Sequence, residues 1–73
     1  MTATQMIELM NTSPFRSFEV HLADSAIIKV EEPWRVSTSR NSPVCVIFDI
    51  DDRMRIVSFR NITEVVTSTP ASE

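Results

Sequence analysis

Glycine is absent from this 73-residue chain. Glycine reaches positive φ at no steric cost, so tight hairpins and barrel corners normally use it. Here aspartate and asparagine must serve instead, at Asp24, Asn41, Asp51 or Asp52, and Asn61. The single cysteine, Cys45, excludes a disulfide within one chain, and one cysteine with one histidine, His21, cannot build a zinc site. No apolar run approaches the ~20 residues needed to cross a bilayer. The opening MTATQMIELMNTS lacks the basic start and long apolar stretch of a secretory leader, so a cytoplasmic location and no membrane partner are expected. Positive charge is also scarce. Seven Lys and Arg stand against ten Asp and Glu, a net charge of −3 that speaks against a duplex-DNA binder with a basic surface. All but one of the basic residues are arginine, however, which leaves room for a local anion-binding patch.

What is present is enough apolar content, 42%, for one small core. A core of this size rarely supplies more than about 3–5 kcal/mol, so disulfides, metals or partner subunits usually help. With disulfides and zinc excluded, self-association is the expected supplement, and a homo-oligomer is the expected state.

Periodicity predicts a helix at about 3–11. Thr2 and Gln5 have the spacing of a capping box, Met6, Ile7, Leu9 and Met10 share a helical stripe, and Asn11, Ser13 and Pro14 stop it. From Phe18 the period becomes two. Phe18, Val20 and Leu22 face inward against Glu19, His21 and Ala23, and Asp24-Ser25 turns the chain into a partner strand over Ala26 to Val30. Pro33 cannot donate to a ladder and marks an edge or bulge, with Trp34, Val36 and Thr38 resuming the alternation. Val44 to Ile50 is the most apolar strand and is expected to be central. Asp51-Asp52-Arg53 turns into Met54 to Phe59, a helical turn follows at Arg60 to Thr63, and Val65-Val66 forms a short last strand. The domain is thus expected over 1–67, with strands between about 18 and 67 and a disordered tail at 68–73. The expected fold class is mainly β, a small five- to six-stranded SH3- or Sm-like barrel with a short N-terminal α-helix.

Two resemblances follow. PFRSFEVHLADS, then VEEP and a late ITEVV, resembles a group of small uncharacterised bacterial proteins that read Pro-Phe-Arg-Pro-Phe, then Ile/Val-His-Leu-Ala-Asp-Gly. The likeness covers residues 14 to 66 and departs at Ser25, where the group has glycine, and at Glu32, where it often has histidine. The element order also resembles the Sm-like (Hfq-like) family, in which the fourth and fifth strands of neighbouring subunits pair into a ring. FRNITEVV at Phe59 to Val66 resembles that RNA chaperone's last strand, which sets Arg60 and Asn61 where an RNA-contacting Lys-His pair stands. The glycine that bends the family's second strand is missing, with Pro33 a substitute, and the uridine-reading residues have no match.

The candidate chemistry is weighed residue by residue. His21 with Asp24 lacks a nucleophile to complete a catalytic set and reads as outward-facing. Asp49, Asp51 and Asp52 lack the glycine and glutamate of a calcium loop and read as an acidic turn beside Arg53. Cys45 reads as a buried, inert thiol, in a VCVIF run that needs cover on both faces. Arg53 and Arg55 share one strand face, either a solvated outer face with ion pairs or, with Arg60 and Asn61, an anion- or RNA-binding rim. Phe15 and Trp34 read as core aromatics, with Trp34, Val65 and Val66 as alternative interface positions. No enzyme activity and no cofactor are expected. The function read from the residues is a binding or scaffolding module that self-associates through strand edges, and the alternative is an Sm-like RNA-binding ring.

Overall fold

The computed structural model describes residues 1–68. Helix α1 runs Ala3–Met10. Its start is closed reciprocally: the Gln5 N–H donates to Thr2 Oγ1 at 3.2 Å, and the Thr2 N–H donates to Gln5 Oε1 at 2.9 Å. At the other end the Asn11 N–H still reaches the Ile7 carbonyl. Eight residues form no stable helix alone, and α1 holds by burying Ala3 and Met6 in the domain core.

The remaining described residues form six strands: β1 Phe18–Leu22, β2 Ile27–Val30, β3 Val36–Ser37, β4 Val44–Phe48, β5 Met54–Ser58 and β6 Ile62–Thr67. They form two three-stranded antiparallel sheets, in the order β2-β1-β6 and β3-β4-β5. The chain crosses between sheets twice, each time through one 3-10 turn, at Pro33–Arg35 and at Phe59–Asn61. Both sheets turn an apolar face to one core, with Phe18, Val20, Ile28 and Val30 from the first against Val36, Cys45, Ile47 and Val57 from the second. Phe59 and Ile62 close the second corner. Phe15 is partly buried against this core, its ring edge-on to Phe18 with centroids 5.9 Å apart, as expected of a corner residue.

The alternation expected from Trp34 to Thr38 does not form. Proline at the first position of a 3-10 turn suits its fixed φ, so the chain coils there and resumes extended structure only over Val36–Ser37. Trp34 is therefore not a core residue; it is 76% exposed. The last strand is longer than Val65-Val66 and begins at Ile62, because the helical turn occupies Phe59–Asn61 and not Arg60 to Thr63. Ser68 is tied down, its N–H donating to the Ser17 carbonyl at 3.0 Å, and the rest of the expected tail, 69–73, lies outside the described residues.

Without glycine, the left-handed positions fall on Ser25 (φ 75°) and Asp52 (φ 62°) among the described residues. Asp52 was among the expected substitutes, whereas Ser25 takes the place expected of Asp24. Asp24 instead supplies the turn's side-chain acceptor, its Oδ1 receiving the Ala26 N–H at 3.0 Å. A left-handed non-glycine residue costs about 1–2 kcal/mol, and glycine returns about 0.5–1 of that as lost backbone entropy. Ser25→Gly is accordingly expected to stabilise the fold by about 0.5–1 kcal/mol. Urea unfolding with an unchanged slope and a higher midpoint is the measurement that checks it.

Candidate binding surfaces on β4, β5, β6 and the helix

The VCVIF run of β4 is covered on one face only. Cys45 and Ile47 point into the core, while Val44 and Phe48 point out to solvent and Val46 is half-buried. Register places Val46 opposite Ile56 and Phe48 opposite Met54, so the outward faces of β4 and β5 join into one uncharged apolar surface. Met54 is 60% and Ile56 66% exposed, and Ile50 stands exposed at the adjoining turn. Beyond β5 no further strand is paired, so its second edge is free among the described residues.

This geometry corrects the reading of the arginines. Val57 and Phe59 are buried, and the two-residue period then puts Arg55 on the core side of β5, at its rim, and leaves Met54 and Ile56 outside. Arg55 donates through Nε to Asp49 Oδ2 at 3.0 Å and is committed to that pair. Arg53 is exposed before the strand, and Arg60 and Asn61 are exposed in the turn after it. Arg53 and Arg60 thus flank opposite ends of β5, roughly 20 Å apart along an extended chain, so one copy does not gather them into one patch. Asn61 also has a structural duty, its carbonyl accepting the Ala23 N–H at 2.8 Å.

The acidic turn is an organised one. Asp49 Oδ1 accepts the N–H of Asp51 at 2.9 Å and of Arg53 at 3.1 Å, while Oδ2 faces Arg55. The Arg55 hydrogen bond, joined by those backbone donors, holds the Asp49 carboxyl below its ordinary pKa against an opposing effect of burial. Arg35 was not singled out by its spacing, yet it ties this turn to the first sheet crossing. It bonds Glu32 through Nε, and through Nη1 it donates to the Asp49 carbonyl at 2.8 Å and to Asp52 Oδ1 at 3.1 Å. Hydrogen bonds to Glu32 and Asp52 raise its pKa, so it stays charged. Among the described residues no group of three or more His, Cys, Asp or Glu side chains is placed to hold a metal ion.

The other candidates settle as follows. His21 lies on the outward face of β1, its Nε2 3.1 Å from Glu19 Oε1 and across from Ile27 and Glu64 on the neighbouring strands. Cys45 is enclosed by apolar neighbours, and burial pushes its thiol up to about 11. Val66 is exposed on the outer face, opposite Glu19. Val65 points the other way, into a cleft of about 490 Å³ between α1 and β6. No signal short of the fold itself announces this cleft, because Leu9, Ile62 and Val65 come together only when α1 docks. No helix among the described residues is long and apolar enough to cross a membrane. No protein-family model, no curated protein and no solved structure matches this chain.

The depressed pKa of Asp49 has a defined consequence. Its stabilising contribution is complete above the unfolded-state value of about 3.9 and is lost as pH falls through the lower folded value. Asp49→Asn is expected to lower the urea midpoint at pH 7 and to flatten the remaining loss of stability below about pH 4. Equilibrium unfolding of both proteins from pH 7 down to pH 2 reads the difference.

Proposed function

We propose that the chain is a non-enzymatic binding or scaffolding module of small-barrel architecture that self-associates through its strand edges. The observation that carries this reading is β5, which among the described residues is an edge strand whose outward Met54 and Ile56 are exposed beside an unpaired row of backbone groups. Unpaired N–H and C=O groups on an apolar strand invite pairing with another chain, and soluble monomers normally blunt such an edge with charge. Here the single charge of β5, Arg55, points to the other face, toward Asp49. Exposed Trp34 and Val66 are further positions available to such contacts. For the barrel itself, support lies in the two sheets sharing one core and in the short turn at Pro33–Arg35 that carries the chain from β2 in one sheet to β3 in the other.

A self-associated state is expected to give a scattering mass well above 8.3 kDa at micromolar concentration. Ile56→Lys, which sets a charge on the apolar face beside the free edge, is expected to return the mass to that of one chain while leaving the circular dichroism unchanged. A wild-type monomer at those concentrations would sink the proposal.

A second reading is an RNA-binding ring of the Sm-like kind. The observation favouring it is the turn Phe59–Asn61, which leads directly into β6 and displays Arg60 and Asn61 to solvent, where ring symmetry would repeat them. Retention of single-stranded oligo-U or oligo-A that weakens with salt and with Arg60→Ala is the outcome expected from it. Absence of retention at low salt excludes it.

A further inference from the structure

The cleft between α1 and β6 lies away from the β4–β5 surface and does not depend on self-association through β5. Its floor is apolar, made by Leu9 of the helix with Ile62 and Val65 of the strand. One wall is the free edge of β6, which among the described residues pairs only with β1. Its charged side chains are acidic: Glu8 on the helix and Glu64 on the strand are both exposed, no lysine or arginine side chain lines the cleft, and Met1 at the start of the chain joins the lining.

We propose that this cleft is a docking site for an extended segment of another protein, one that alternates apolar and basic residues and joins the sheet as a strand beside β6. Each part of that description follows from a feature of the cleft. An unpaired edge gives backbone affinity to an extended chain, and successive side chains of an added strand face opposite ways. One set enters over Leu9 and Val65 and must be apolar. The other set emerges on the outer face beside Glu64, which register places opposite His21, and a cation there gains a cross-strand partner. Six residues of β6 offer about 20 Å of edge, room for a segment of about five or six residues.

Charge separates this occupant from two others. A polyanion such as RNA is repelled by Glu8 and Glu64. A second copy of the chain has one segment with the right alternation, Arg53-Met54-Arg55-Ile56, but Arg55 is held by Asp49 in its own fold and does not supply the second cation.

The test titrates isotope-labelled protein with a blocked Lys-Val-Lys-Val-Lys-Val peptide and with its Glu-Val counterpart, following backbone amide shifts. The expected result is saturable shifts confined to α1 and β6 with the lysine peptide alone. Glu64→Lys should weaken binding roughly tenfold, since reversal turns a cross-strand attraction into repulsion. Glu8→Lys, on a different element, supplies the same comparison if the β6 variant unfolds. Absence of saturable shifts, equal binding of the glutamate peptide, or affinity unmoved by the charge reversal overturns the proposal. So do cleft shifts that follow protein concentration alone and vanish in Ile56→Lys, because they identify a second copy as the occupant. Light scattering on the same samples keeps the self-association reading separate: a monomer that binds the peptide overturns that reading and leaves this one standing.

Discussion

Two three-stranded sheets must share a single small core, and among the described residues two short crossings hold them together. At the first, Arg35 leaves a 3-10 turn just ahead of β3 and grips the β4–β5 turn beside it through the Asp49 carbonyl and the Asp52 carboxylate. At the second, Phe59 is buried while the Asn61 carbonyl receives the Ala23 N–H, fastening the turn to the β1–β2 hairpin. If either crossing slipped, the inward faces would lose their partners. A domain of this size has no second core to compensate.

The same crossings decide which surfaces remain uncovered. Each sheet keeps two edges, and α1 sits where it leaves a cleft along β6 without pairing to it. The apolar residues of β4 and β5 occupy both parities of their strands, but the molecule has only one core to offer them. One set goes inside with Cys45, Ile47 and Val57, and the other, including Phe48, Met54 and Ile56, stays at the surface. Exposed apolar surface next to a free strand edge is the arrangement that soluble monomers avoid, and it is the feature on which the proposed self-association rests.

The two surfaces differ in kind. The β4–β5 face is uncharged, so it places no buried, unpaired charge against a like surface. The α1–β6 cleft joins an apolar floor to acidic side chains, the combination on which its proposed selectivity for a basic segment rests. Selectivity of that sort suits a partner different from the chain itself, whose most strand-like basic segment is already engaged by Asp49.

Local chemistry alone was sufficient for several elements. Thr2 and Gln5 announced the helix start, the period of two announced β1, and the apolar run announced a central β4, since these depend on neighbours a few residues away. Isolation of Cys45 and the outward place of His21 were legible for the same reason. What only the tertiary structure decided was parity and partnership. MRIVSF carries apolar residues on both faces, so nothing local says whether Arg55 or Ile56 looks inward; the burial of Val57 and Phe59 does. Trp34 reads as a core aromatic until the coil at Pro33 turns it out. Arg35 looks like one cation among seven until the β4–β5 turn arrives beside it, and the cleft along β6 exists only once the helix has docked. Those properties are set by contacts between residues far apart in sequence, and no window along the chain contains both sides of them.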